Sequence, residues 1–418
     1  MSPGGTTEER QNLLAWIYLR QTIEASNTDI LNLLWPEGWE NRLADRDAGK
    51  GVAPDVRGLA SRIRHRDPSL PRRILESTAT RVDCDPEAEL DAATAAGFRL
   101  ITPLDQEWPE TLDHAFARID DRGSDQNSAV RGLAAAPFAL WLRGNGNLRN
   151  LSRQSVTVVG TRQPNAYGAQ LSTQLSTDLA LEGYSIVSGG ARGVDRCAHT
   201  AALRAGGASI AVLACGLDVD YPRQHVGMFN QIAESGVVVS EYALGTHPAR
   251  HRFLTRNRLV AGLSAGTIVT QAANRSGALN TLNWAEVMLN QPMVVPGPVD
   301  TALSQGVLHR LRDGRAQPVW TASHVRELVE ASSQFHAEVP EQQAMVFGSG
   351  TGVQSMSLNQ VTVYDAAGLP GGGGGTLRDI QQETGLSIQL VMRTLKELDK
   401  QGLITREGER WVRVDGEA

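Results

Sequence analysis

The sequence predicts an α/β protein built on a mostly parallel, doubly wound sheet. Six short apolar runs recur from Val156 onward, at Val156–Gly160, Ser185–Ser188, Ser209–Ala214, Gly236–Ser240, Thr267–Thr270 and Met293–Pro296. Stretches of helical spacing separate them, with Leu171, Leu175 and Leu179 on one face. The runs are unbroken rather than alternating, as strands covered on both faces require. Strands that alternate with helices form a parallel sheet. Ligands of such sheets sit beyond the carboxyl ends of the strands.

The flanking segments read differently. Residues 1–95 are predicted to form a helical N-terminal domain. Leu13, Leu14, Ile17 and Tyr18 recur at helical spacing, and Ile30, Leu31, Leu33 and Leu34 give a second stripe behind Asn27 and Thr28 as caps. Arg62, Arg64, Arg66, Arg72 and Arg73, with Arg57 upstream, make either an accessory basic face or a solvated linker, and the linker is favoured. Residues 96–332 hold the sheet, entered through a short strand at Phe98–Thr102, the run Pro137–Leu142 and a polar loop at Asp120–Ser128. Residues 333–375 lose periodicity and end in Gly371–Gly375, a flexible linker. In residues 376–418, Leu377 and Ile380 begin a first helix that Gly385 breaks. Ser387 caps a second, with Ile388, Val391, Leu395 and Leu398 on its apolar face. Two strands joined at Glu407-Gly408 follow, which is a winged-helix order.

Bulk composition narrows the function. The chain has 418 residues, enough for two or three domains, and 41% of them are hydrophobic, enough for a proper core. Its net charge of −6 argues against coating duplex DNA by bulk charge, so any nucleic-acid site is a local patch. Cys84, Cys197 and Cys215 have neither metal-type spacing nor a disulfide framework. The first residues lack a signal-peptide pattern, no apolar run approaches a membrane span, and a cytoplasmic location is expected.

The local patch is at 247–260. Arg250, Arg252, Arg256 and Arg258 occur there with no acid among them, and Phe253 lies in the middle. A guanidinium fits phosphate, and an aromatic ring offers a face on which a base stacks. The plainer reading is a solvated, positively charged helix start. Four strand-end loops could join the patch. Gly160-Thr161-Arg162 ends one strand, and its glycine lets phosphate approach the backbone. Ser188 to Asp195 is glycine-rich, includes Gly189 and Arg192, and has Asp195 as N-cap with His199 four residues on. One Asp and one His are too few for a metal site, and a structural contact between them is preferred. Ser240-Glu241-Tyr242 leads into the arginines, and Ser276-Gly277 opens a later helix. Several anion sites along one sheet edge suit a chain of nucleotides better than one nucleotide.

Gly160-Thr161-Arg162, Ser188-Gly189, Gly193-Val194-Asp195, His199, Gly216-Leu217-Asp218, Tyr221-Pro222, Ser240-Glu241-Tyr242, Phe253, Arg256-Asn257-Arg258, Ala261 to Ser264, Ser276-Gly277 and Pro296-Gly297 follow one another in the order of the DNA-processing protein A family (DprA, or Smf). Over roughly 96–330 the chain resembles that family. The resemblance implies an extended Rossmann-like core that dimerises, binds single-stranded DNA and loads the recombinase RecA during natural transformation, with no catalysis, metal or cofactor. It implies that Arg162 and Arg250 contact phosphate and that Phe253 stacks on a base. Arg256, Asn257 and Arg258 would complete the patch or brace the loop, and Gly189 and Ser276-Gly277 would donate backbone N–H groups. Gly190, Gln271 and Ala278 depart from the family pattern. Val260, Leu263 and the helix after Ser276 are candidates for the dimer surface.

Two other functions compete. A nucleotide phosphoribohydrolase on a similar fold would need a Pro-Gly-Gly-x-Gly-Thr segment and a following glutamate, which this chain lacks. A transcription regulator would work through residues 376–414. Their seven basic and six acidic side chains are a poor balance for reading DNA and suit a protein contact or an autoinhibitory role equally well.

Overall fold

The computed structural model describes residues 7–24, 28–39, 42, 53–120, 134–337, 363–364, 366–368, 375–384, 388–408 and 410–414. They divide into two compact units, Met1–Glu338 and Val339–Ala418. Asn27, the Asp120–Ser128 loop beyond its first residue, most of the 333–375 linker, Gly385 and Ser387 lie outside the described residues.

The first unit is built on a nine-stranded sheet. Its strands are β1 (Phe98–Ile101), β2 (Leu140–Arg143), β3 (Ser155–Val159), β4 (Ser185–Ser188), β5 (Ser209–Leu213), β6 (Val237–Ser240), β7 (Gly266–Val269), β8 (Gln291–Val294) and β9 (Gln317–Pro318). They lie in the order β1-β2-β6-β5-β4-β3-β7-β8-β9. From β6 to β9 all neighbours are parallel, while β1 and β2 form an antiparallel pair added at the β6 edge. The parallel part of the sheet starts at β3, winds outward to β6, then returns to lay β7 against the other side of β3. That reversal makes a topological switch point between β3 and its neighbours.

The apolar strand runs serve two cores at once. Val156, Val158, Ile186 and Ile268 point to one layer, with Leu175, Leu179 and Val325. Val159, Val187 and Val269 point to the other, with the N-terminal helices. Alternate side chains face opposite layers, and in both layers they join buried apolar clusters.

The N-terminal helices belong to this second layer. Trp16, on the helix Thr7–Thr22 (α1), stacks on Trp35 and on Phe138, each at 6.2 Å between ring centroids. Arg42 is buried among Trp35, Trp39 and Trp108, and its Nε donates to Asp113 at 2.9 Å. The arginine-rich stretch is not a linker. It forms the helices Val56–Arg64 and Arg72–Thr78, the first capped by Asp55. Its charges have local partners: Arg62 pairs with Asp67, Arg72 with Glu76 and Arg57 with Glu8. Among the described residues, no helix is long and apolar enough to cross a membrane.

In the second unit, the helices Leu377–Thr384 and Ile388–Lys400 cover a small apolar core with Ile380, Val391, Leu395 and Leu398. The strands Ile404–Glu407 and Arg410–Arg413 form a hairpin around Gly408, and Gly375–Thr376 pairs with the second of them.

The helix that follows β4, Val194–Arg204, corrects two expectations. Gly193, not Asp195, is at its N-cap. His199 does not meet Asp195: its Nδ1 lies 2.7 Å from the Ser209 hydroxyl, at 0% exposure. Burial pushes the His199 pKa down to about 3, helped by the nearby His225 and Arg256. Protonation therefore favours the unfolded chain. The stabilisation is complete above the unfolded pKa of about 6.5 and is lost as pH falls toward 3, by about 1.4 kcal/mol per unit. Between pH 7 and pH 5 the native protein should lose about 2 kcal/mol that His199→Gln does not lose. Urea denaturation of both proteins at the two pH values checks this, and equal losses would contradict a buried neutral imidazole.

Candidate nucleic-acid interface

A pocket of about 730 Å³ opens at the carboxyl ends of β3, β4 and β7. Gly160, Thr161 and Arg162 line it from the turn after β3, Gly189 and Ala191 from the turn after β4, and Arg275, Ser276 and Gly277 from the turn after β7. The helix Arg250–Gly262, here α11, crosses back from β6 to β7 and closes the pocket's remaining side. Its residues Arg250, Phe253, Leu254 and Asn257 follow the i, i+3, i+4, i+7 spacing of one helix face, and all four line the pocket. The arrangement is the crevice beside a switch point where doubly wound sheets bind ligands.

The local backbone fits this use. Gly193 has φ +81°, and a Cβ there would come within 2.4 Å of the Thr161 carbonyl oxygen. Only glycine lets the turns after β3 and β4 close on each other. Gly189 leaves room for a side chain: an added Cβ would sit 1.8 Å from Nη1 of Arg256. Ser276 caps the helix Gly277–Val287, its hydroxyl accepting from the Ala278 N–H. The helix N-terminus therefore faces the pocket with its positive end.

The arginines of 250–258 divide into three kinds, which corrects the expectation of one continuous patch. Arg250 is exposed at the pocket rim. Arg252 turns away to Glu24, with Nε 2.6 Å from the carboxylate. Burial pushes the Glu24 pKa up, but hydrogen bonds from Arg252, His251 and Arg81 outweigh it and bring it down to about 2. Arg256 and Arg258 are buried, at 5% and 0% exposure. Arg256 forms part of the pocket floor, where Nη1 donates to the Val212 carbonyl at 2.8 Å. Arg258 does not reach the pocket. It is ion-paired with Glu241 at 2.5 Å and lies over the Phe116 ring, because it falls on the core-facing side of α11. Asn257 is also mostly buried and donates to Asn280 at 3.2 Å.

Around the rim, Arg162, Arg250 and Arg275 are exposed and make no ion pair among the described residues. Arg192 is exposed on the turn after β4, one residue beyond the pocket lining. Phe253 is part-exposed, with the Arg162 guanidinium 5.3 Å from its ring centre. The pocket's carboxylate is Asp195, buried and accepting from the Ala191 N–H. Burial raises its pKa, against the pull of Arg256 and of backbone N–H groups. The rim is therefore cationic, and in the floor the Asp195 carboxyl lies beside the Arg256 guanidinium.

The three departures from the family pattern are absorbed locally. Gly190 has φ +68°, and a Cβ there would meet the Phe229 ring at 2.7 Å. Gln271 exchanges hydrogen bonds with Asn165, at 3.1 and 3.0 Å. Ala278 takes part through its backbone. Val260 and Leu263 are buried inside the chain and offer no surface to a second copy. Arg275 and Tyr221 both line the pocket and were not among the expected contact residues, although Tyr221 belongs to a quoted motif and Arg275 adjoins one. A second cavity, also about 730 Å³, lies among the N-terminal helices. Its cations are already engaged, Arg57 with Glu8 and Arg64 over Tyr18.

Fold and pocket together define the class: a doubly wound α/β protein with a cationic, aromatic crevice at its switch point. Residues 99–330 match the family model described as DNA recombination-mediator protein A. The chain is 37% identical over 339 residues to a putative DNA processing protein DprA of Mycobacterium tuberculosis, covering 81% of this chain and 83% of that one. It is 39% identical over 179 residues to the DNA processing protein DprA of Streptococcus pneumoniae, covering 43% and 62%. The X-ray structure of DprA from Streptococcus pneumoniae superposes with a TM-score of 0.56 at 28% identity, covering 75% of this chain and 97% of that one. The chain belongs to the DNA recombination-mediator protein A family.

The division of the arginines has a measurable consequence. Arg258→Ala leaves Glu241 buried with its main partner gone, and should cost about 3–5 kcal/mol. Arg162→Ala and Arg250→Ala should stay within about 0.5 kcal/mol of the parent. Denaturant midpoints of the three variants test the assignment. A stable Arg258→Ala would show that this side chain is not a brace.

Proposed function

We propose that the chain binds single-stranded DNA in the switch-point pocket and acts as a recombination mediator without turnover, protecting the strand and helping to load a RecA recombinase on it. The observation that carries the reading is the rim: exposed, unpaired arginines around a part-exposed phenylalanine. Guanidinium groups neutralise phosphates, and aromatic rings accept any base, so the pair tracks a strand without reading its sequence. A concave site takes splayed bases more readily than a stacked duplex. The recombinase step rests on membership in a recombination-mediator family.

The rest of the molecule is assigned in the same reading. Residues 1–95 act as a helical domain beside the core, and residues 376–418 as a winged helix, with 333–375 as the flexible linker between the core and the winged helix. The near balance of charge in 376–414 favours contact with protein over DNA. The working form is a cytoplasmic homodimer.

Fluorescence anisotropy of a labelled oligothymidine and of its duplex, across a salt series, tests the proposal. With Arg162, Arg192, Arg250 and Arg275 on phosphates, the slope of log K against log salt should be about −3. Binding should then weaken roughly 50-fold between 50 and 200 mM salt. Phe253→Ala should lose about 1–3 kcal/mol of binding. Equal affinity for the duplex, or unchanged binding in both Arg162→Ala and Phe253→Ala, would overturn it.

A further inference from the structure

We propose that Tyr221 is a second base-stacking platform in the pocket, so that a single strand is held on two aromatic rings rather than one. The proposal rests on the single-strand reading above and assigns a further contact within that site. Tyr221 lies on the loop after β5, away from the helix that carries Phe253, yet both side chains line the pocket. Their ring centroids are 5.7 Å apart and their planes are tilted by 52°.

Exposure decides which ring a base meets first. Phe253 is only part-exposed and shares its ring with the Arg162 guanidinium. Tyr221 is 38% exposed, and its hydroxyl has no hydrogen-bond partner among the described residues. Tyr167, at 37% exposure, shows the contrast. Its hydroxyl is tied to the Pro296 carbonyl at 2.5 Å, and it does not line the pocket. A large aromatic left open at the mouth of a cationic crevice, with its polar end unengaged, is poised for a flat apolar partner that carries charge nearby. An unpaired nucleobase on a phosphate backbone has that chemistry.

The tilt adds a constraint on the strand. Two rings at 52° cannot both lie flat against two bases that remain stacked on each other, because stacked bases are parallel. Tyr221 and Phe253 therefore hold bases separated from one another, and the strand is unstacked at that step. A duplex, whose bases are paired and stacked, cannot engage both rings.

The test uses the full chain and an oligothymidine, with one thymine replaced by 5-iodouracil for photocrosslinking. Tyr221→Ala should weaken binding about 5- to 150-fold, and Tyr221→Phe should bind within about twofold of the parent. The crosslink should map to Tyr221 in the parent protein, a readout that a purely structural role for Tyr221 would not give. If the parent binds the strand but Tyr221→Ala binds equally well and no crosslink reaches Tyr221, this proposal fails while the single-strand reading stands. If Tyr221→Phe is as weak as Tyr221→Ala, the hydroxyl makes the contact and stacking is overturned. If the parent does not bind the strand at all, the single-strand reading fails and this proposal falls with it.

Discussion

The carboxylate of Glu241 is the point on which the architecture depends. It lies at 1% exposure just beyond the end of β6, with Arg258 of α11 at 2.5 Å and Arg20 of α1 at 3.6 Å. Three elements thus share one buried charge centre: a strand end, the crossing helix that follows it and, far away in sequence, the first N-terminal helix. Burial lowers the pKa of Arg20, Glu241 raises it, and Arg258 adds repulsion. Such a centre is costly to desolvate and costly to break, so it fixes a geometry more than it adds net stability. The two arginines also lie over aromatic rings, Arg20 on Phe138 and Arg258 on Phe116, which shields the cluster from water.

What the cluster fixes is the position of α11. Arg258 holds the interior end of the helix, and Arg256 pins the middle by donating to the Val212 carbonyl under Gly189. Glu24 holds the outer end through Arg252 and His251. With three points held, the face that carries Arg250, Phe253 and Leu254 can look into the crevice without moving. The cost of ordering is met on folding rather than on binding, which preserves the ligand's binding energy. The N-terminal helices therefore contribute to the pocket without lining it.

Much of the fold was legible in the sequence. The six core strands lie where the apolar runs place them, mostly within a residue or two at each end, because strands covered on both faces can be written only in apolar letters. The arginine-rich 57–73 stretch was misread for an opposite reason. Its helices are short, and their charges are compensated by Glu8, Asp67 and Glu76, which the eye does not connect from a basic run. The site was legible by segment and not by side chain. Every expected loop but one lines the pocket; the exception, Ser240-Glu241-Tyr242, turns inward to the buried cluster. Within 247–260 the letter Arg says nothing about which side of a helix it faces. The i, i+3, i+4, i+7 pattern of Arg250, Phe253, Leu254 and Asn257 carried that information, and it leaves Arg258 on the core side. Tyr221 and Arg275 could be placed only by the fold, since strand order brings their loops together.

A chain with a net charge of −6 that concentrates exposed arginines at one crevice has a particular electrostatic design. The body of the protein repels a polyanion, while the rim attracts a few phosphates at short range. Association by bulk charge is suppressed, and a polyanion would bind by entering the crevice. Under the proposed single-strand reading, entry requires bases free to leave their stack and meet the aromatic rings. Acidic body, cationic rim and aromatic interior would then act as successive filters, the last of them separating a single strand from a duplex. The same division explains why burial of Arg256 and Arg258 is not a loss to the site. Two more exposed guanidinium groups would have strengthened attraction to any polyanion. Placed inside, they hold the helix that carries Phe253.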